Sequence, residues 1–225
     1  MQSIHNPYLN ALSVLNSTGA SYVIVGGFAL TMHGNNRFTP DINVAVNFED
    51  GAPLKLVEAL LASGLEPPEG VDTQQYANPQ VRADWFENKS MRFLAFGDRE
   101  LPTFSIQLFT QHPQPMSFEG LLADSIEIDI NGIKAVICSK EHLVAMKKIA
   151  WRNQDRDDVE ALDLIESLGE DLFDTTAINE LIAKEESSFA RERLRSLHDF
   201  NLTSYAERAD WLKNMLTALG GFCIL

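Results

Sequence analysis

Apolar residues recur along the chain with two periods, and the change from one to the other organises it. Tyr8, Leu9, Leu12 and Leu15 fall at helical spacing and stop at the "NSTGA" segment, which predicts an opening amphipathic helix ending near Gly19. "SYVIVGG" reads as a short buried strand, and Phe28–His33 as a brief helix that the glycines start. "DINVAVN" alternates with period two, the pattern of a second strand. From Pro53 to Ser63, Leu54, Val57, Leu60 and Leu61 predict another amphipathic helix, which Gly64 ends.

Farther on, "MRFLAFGD" and "PTFSIQLFT" read as two strands joined by the turn "GDRELP" and followed by the loop "QHPQP". "SIEIDINGIKAVIC" is a hairpin signal: Ile126, Ile128 and Ile130 share one face, Asn131-Gly132 makes the turn, and the return strand ends at Cys138. Glu127 and Asp129 then lie on the opposite, solvated face. After Ser139 strand patterns cease and helical ones run on. The last carries a capping box, Ser204 with Glu207, ahead of Tyr205, Leu212, Met215, Leu216 and Leu219 at core spacing, with Gly220 as its stop. The expected architecture is an α+β domain over residues 1–138, a mixed sheet flanked by helices, and then a helical domain or bundle over 139–225. No internal repeat or low-complexity linker interrupts it.

With 225 residues the chain can bury a large core without covalent or metal staples. Cys138 and Cys223 lack metal-ligand spacing and sit in apolar surroundings, as buried thiols in a reducing compartment do. No apolar run approaches the ~20 residues that span a bilayer, and "MQSIHNPYLN" has no signal pattern, so a cytoplasmic protein without membrane contact is expected. In "GGFCIL" Cys223 stands third from the end, not fourth, so the tail is no prenylation box and reads as an apolar segment docked on the body or on a partner. The net charge of −14 repels polyanions at long range, which argues against non-specific nucleic-acid binding. A small anionic ligand stays compatible with it, because a helix N-terminus or a bound metal overcomes a distant field.

The segment from Val23 to Val46, "VIVGGFALTMHGNNRFTPDINVAV", concentrates the candidate chemistry. Gly26 and Gly27 stand between strand and helix, where missing side chains let a ligand approach the backbone. Asp41 and Asn43 are two apart on a strand and share a face. Two carboxylates so placed, with a third from a neighbouring strand, hold two Mg²⁺ ions that orient a nucleoside triphosphate. The order Gly26-Gly27, Ala29, His33-Gly34, Arg37, Thr39, Asp41-Ile42-Asn43 resembles the opening motif of the DNA polymerase beta-like nucleotidyltransferase superfamily, and especially its AbiEii-type abortive-infection and toxin–antitoxin branch. The similarity continues in "SKEHLVAMKKIAWRNQDRDDVEAL", where Lys147, Arg152, Asp155 and Asp158 match that branch's lysine, arginine and Asp-x-x-Asp.

The resemblance implies transfer of a nucleoside monophosphate from a triphosphate. It implies that Gly26 and Gly27 cradle the triphosphate, that Asp41 binds Mg²⁺, and that Lys147 and Arg152 offer positive charge to phosphates while Asp155 or Asp158 orients them. A protein partner of toxin–antitoxin type is implied as well. The residues themselves leave structural alternatives. "KKIAWRNQDRDD" also reads as a solvated helix end with local ion pairs. His33 also suits a helix cap, Arg37 a partner of Asp41 or another acid, Thr39 a backbone bond before Pro40, and Arg191, Arg193 and Arg195 a solvated stripe.

The motif departs from the family where its second and third acids belong: Asn43 and Gln107 stand there. Amide oxygens ligate Mg²⁺ without cancelling its charge, so a three-acid site falls from about −3 to about −1. Weak or absent Mg²⁺ binding and little nucleotidyl transfer are expected. Asp84, Glu87 and Asp98 are the acids that an active site would have to recruit instead. Three readings stay open on sequence alone: a degenerate module that binds a nucleotide or a partner, an active metal-dependent nucleotidyltransferase, and a ligand-free interaction module.

Overall fold

A computed structural model describes residues 6–49 and 51–220. Among these residues six strands form one sheet: β1 (Tyr22–Val25), β2 (Asp41–Val46), β3 (Phe93–Gly97), β4 (Ser105–Phe109), β5 (Ile126–Ile130) and β6 (Ile133–Ile137). Interleaved with it are the helices α1 (Pro7–Ser17), α2 (Gly26–Met32), α3 (Ala52–Ala62), α4 (Pro79–Asn88) and α5 (Phe118–Ala123). After the sheet come α6 (Lys140–Ala150), α7 (Asn153–Leu168), α8 (Thr175–Lys184), α9 (Ser188–Asn201) and α10 (Tyr205–Gly220). The mixed sheet flanked by helices and the C-terminal helical region expected from the patterning are both present.

Strand order is β3-β4-β2-β1-β6-β5. β2 runs antiparallel to β1 and parallel to β4, whereas β1 and β6 are parallel. All four residues of β1 are buried, as a central strand covered on both faces requires. β3 and β4 instead alternate buried with half-buried positions, so one face of that half of the sheet is open. The open face carries the odd-numbered residues, Asp41 and Asn43 on β2 and Ser105 and Gln107 on β4.

Local chemistry explains the element ends. Asn6 caps α1 by accepting from the N–H groups of Tyr8 and Leu9, and Pro7 fills the first turn, where no N–H is needed. Asn131 and Gly132 both have positive φ, 57° and 80°, which gives the β5–β6 hairpin the two-residue turn that its dipeptide predicts. Glu127 and Asp129 are exposed, as expected, and Glu127 accepts from Lys134 at 2.6 Å. The Ser204–Glu207 capping box forms in both directions, at 2.7 and 3.3 Å.

Several details differ from the sequence reading. α2 begins at Gly26, so the glycines lie inside its first turn. The buried face of α3 is Leu56, Val57 and Leu60, with Leu61 exposed, because the stripe starts at Pro53 rather than Leu54. Met215 and Ile126 are also exposed. The apolar patterning does not predict α4, α5 or a 3-10 turn at Thr73–Ala77; their sequence signals are the caps Asn78 and Ser117, with Pro79 and Glu119 in the first turns of α4 and α5. The Leu219 side chain, Cys223 and the rest of the tail lie outside the described residues.

α10 returns to the sheet. Ala209, Leu212 and Leu216 are fully buried in the same core as β1, α1 and α2, while Ile165, Leu172 and Leu197 form a small separate cluster within the helical region. Burying each large aliphatic side chain contributes about 1.5–3 kcal/mol, so α10 stabilises the sheet as well as its own region. Cys138 is buried in this core, and burial pushes its thiol well above the ordinary range. No helix among the described residues is long and apolar enough to cross a membrane.

Candidate functional site

The register of β2 on β4 sets the first group of predicted residues in two rows. Asp41 pairs with Ser105, and Asn43 with Gln107. Their side chains form one hydrogen-bonded chain. Asn43 Nδ2 donates to Asp41 Oδ2 at 3.3 Å and to Gln107 Oε1 at 3.1 Å, and Gln107 Nε2 donates to Ser105 Oγ at 3.1 Å. Thr39 Oγ1 donates to the other Asp41 oxygen at 2.5 Å. Thr39 therefore serves the carboxylate, not the backbone ahead of Pro40, and Arg37 does not pair with Asp41.

Both glycines are required by this row. A Cβ on Gly26 would stand 2.2 Å from Asn43 Oδ1, and one on Gly27 would stand 2.4 Å from Thr39 Oγ1. Gly26 also has φ +70°, where a side chain is strained. The glycines that the resemblance assigns to a triphosphate thus already make room for Asn43 and Thr39. The hydroxyl of Tyr8, held at 2.7 Å from the Thr39 carbonyl, fixes the strand entry from α1. Burial first, and then the Asp41 charge, push that phenol well above its usual range.

The second group assembles at the α6–α7 corner, with Lys147, Asp155 and Asp158 buried and Arg152 exposed. Trp151, at φ 44°, turns the chain between the two helices. Lys147 Nζ lies 2.6 Å from Asp158 Oδ2 and 3.3 Å from Asp155 Oδ1. Arg152 Nε donates to Asp155 at 2.8 Å. Arg37 joins from the loop ahead of β2, 2.5 Å from Asp158 Oδ2, and Asn35 Nδ2 approaches the other oxygen at 3.4 Å. Asp155, Asp158 and Lys147 are buried, whereas 148–154, 156 and 157 are exposed, so the local ion pairs of a solvated helix end are present with their carboxylates and the lysine turned inward. The Arg152 guanidinium, and after it the backbone N–H and Lys147, hold the Asp155 carboxyl far below the ordinary carboxylate range against the opposing effect of burial. Lys147 and Arg37 spend their charge inside the protein, whereas the Arg152 side chain is 73% exposed and keeps donors free.

Between the two groups runs the loop from Met32 to Thr39, and the helical region grips it at several points. Arg208 donates to the Met32 carbonyl at 2.6 Å, and Asn201 Nδ2 donates to the Gly34 carbonyl at 2.9 Å. A Cβ on Gly34 would meet Asn201 Oδ1 at 2.0 Å. Asn36 bonds Ser196, and His33 Nε2 donates to the Cys138 carbonyl at 2.7 Å. His33 is also the capping residue of α2. Arg193, in the predicted solvated stripe, bonds the Asp157 carbonyl at 3.3 Å and approaches Glu160 at 3.8 Å. The α9–α10 corner, Asn201 with Arg208, is the part of the assembly that sequence reasoning missed. No local pattern could reveal it, because its partners lie more than 160 positions away. Ser105, by contrast, stands two residues before Gln107 on one strand and was open to inference from alternation alone.

A two-ion Mg²⁺ site does not fit these residues. Asp41 is the lone carboxylate of its row, and the Asn43 amide nitrogen fills the space between it and Gln107 with N–H donors, which repel a cation. Among the described residues no group of three or more His, Cys, Asp or Glu side chains is placed to hold a metal. Asp84, Glu87 and Asp98 are engaged elsewhere or stand apart: Asp84 pairs with Lys89 at 3.1 Å, and Asp98 caps the Glu100 and Leu101 N–H groups at 2.8 and 3.1 Å. No protein-family model matches the chain, and no curated protein matches it either.

Proposed function

We propose that this protein is a degenerate member of the nucleotidyltransferase superfamily, of the AbiEii-like branch, whose site binds a nucleotide or a protein partner with little or no nucleotidyl transfer. The observation that carries the reading is the Asn43 amide bonded to both Asp41 and Gln107. It supports a site in which hydrogen bonds from a neutral amide have taken the place of metal–carboxylate contacts. A single carboxylate leaves two divalent ions without the charge that would hold them together, and it leaves no second acid to activate a nucleophile.

The engagement of Lys147 and Arg37 by Asp158 supports the same reading, because cations committed to buried carboxylates have less to offer a phosphate. Arg152 is the cation left able to meet one. A partner of toxin–antitoxin type belongs to this proposal as the alternative occupant, and a cytoplasmic setting with it.

Incubating the protein with each of the four labelled ribonucleoside triphosphates, Mg²⁺, and RNA, protein or small-molecule acceptors tests the proposal. It predicts no transfer above the level of an Asp41→Ala variant. Robust turnover that Asp41→Ala abolishes would replace it with the active-enzyme reading. Thermal unfolding with triphosphate, with and without Mg²⁺, separates the occupants, because a ligand of the native state raises its stability.

A further inference from the structure

An open groove of about 1080 Å³ lies between the β5–β6 hairpin and the α9–α10 corner. It is lined by both Ile126 and Asp129. Residues three apart on a strand face opposite sides of a sheet, so a groove reached by both passes along the strand's edge and not over one face. β5 is the end strand of the sheet.

The hairpin fixes which backbone groups this edge presents. Its two-residue turn makes Ile130 and Ile133 the closing pair, which exchanges hydrogen bonds, and bonded and non-bonded pairs then alternate. The N–H and C=O groups of Glu127 and Asp129 therefore point away from β6. Among the described residues no other element hydrogen-bonds to them.

The groove supplies side-chain contacts beside this edge. Ile165 and Leu172 line it, and Phe173 and Ile126 stand on it 57% and 39% exposed. Its charged lining is acidic on balance: Asp129, Glu141 and Glu166 against Lys140 and Arg208. Arg208 is already spent on the Met32 and Asn201 carbonyls. A second copy of the chain is a poor occupant, since pairing two β5 edges would set Glu127 and Asp129 against their own copies in a molecule of net charge −14.

We propose that β5 and this groove form a docking site for an extended, basic segment of a partner protein. The segment adds to the sheet beside β5, takes its backbone bonds from Glu127 and Asp129, and alternates lysine or arginine with apolar residues that reach Ile126 and Phe173. The proposal stands on the β5 edge and does not depend on the reading of the Asp41 site.

The test uses a synthetic octapeptide alternating valine with lysine, and a valine–glutamate octapeptide for comparison, followed by amide NMR and hydrogen exchange on the full chain. The lysine peptide should shift the amide resonances of Glu127 and Asp129 and slow their exchange, and the glutamate peptide should not. Glu127→Pro removes one outward donor at a position where an edge strand tolerates proline, and should weaken binding about tenfold; Glu127→Gln separates the effect of charge. Should Glu127→Pro fail to fold, Phe173→Ala, outside the sheet, keeps the test decisive with an expected loss of about threefold from its lost apolar contact. No binding of the lysine peptide, equal binding of the glutamate peptide, affinity unchanged in the folded variants, or self-association through β5 would each overturn the proposal.

Discussion

Asn43 and Gln107 face each other across the β2–β4 pair, with the Asn43 amide nitrogen 3.1 Å from Gln107 Oε1. The same nitrogen lies 3.3 Å from Asp41 Oδ2, and with Gln107 Nε2 on Ser105 Oγ this orientation sets each amide N–H against an oxygen. Asp41 is thereby tied into a neutral network at the place where metal chemistry needs clustered negative charge.

The close approach of Gly26 to Asn43 predicts a large effect from a small substitution. Gly26→Ala must accept positive φ at about 1–2 kcal/mol and a contact with Asn43 that costs a further ~1–3 kcal/mol, roughly 2–5 kcal/mol in all. Urea denaturation measures the loss. Adding Asn43→Ala removes the contact and leaves the backbone strain, so the double variant should lose less than the sum of the two single losses.

Asp158 carries a second prediction. Its side chain is 3% exposed and receives both Lys147 and Arg37. Asp158→Ala leaves Arg37 without its carboxylate and Lys147 with only the longer contact to Asp155, and should cost about 3–5 kcal/mol in chemical denaturation. Glu127→Gln breaks only the exposed pair with Lys134 and should leave the midpoint unchanged.

His33 predicts a pH dependence. Burial, above all, lowers its folded-state pKa below the ordinary value; Lys140 and Arg208 act in the same direction, and the Cys138 carbonyl and Glu141 oppose them. His112, stacked on Phe48 at 4.6 Å, is lowered for the same leading reason. When the folded pKa is depressed, the unfolded chain takes up the proton first, so stability is fully present above the unfolded pKa of about 6.5 and falls as pH drops below it. Denaturant midpoints should therefore decline from pH 7.5 to pH 5.5, and His33→Gln, which keeps a donor for Cys138, should flatten part of that slope. A midpoint that rises over the same interval contradicts the assignment.

The sequence revealed what depends on near neighbours. Period-two alternation placed Asp41 and Asn43 on one face, Asn131-Gly132 marked the hairpin, and Ser204 with Glu207 marked the start of α10. What stayed hidden depends on contacts between distant segments. The spacing of Lys147, Asp155 and Asp158 fits an exposed row of ion pairs as well as a buried one; the contact of Asp158 with Arg37, more than a hundred residues earlier, is not legible in it. The return of α10 to the sheet, with Arg208 on Met32, is a tertiary choice of the same kind. α4 was missed because its apolar pattern is slight, with Trp85 its one fully apolar buried residue.

The most direct measurement of the central claim is a calorimetric titration of Mn²⁺ into the natural protein and into an Asn43→Asp/Gln107→Glu variant, whose changes keep the shape of each side chain while returning two carboxylates to the row beside Asp41. The account predicts no saturable binding at millimolar Mn²⁺ in the natural protein and saturable binding in the variant, lost again when Asp41→Ala is added. Saturable binding in the natural protein that Asp41→Ala abolishes would contradict it.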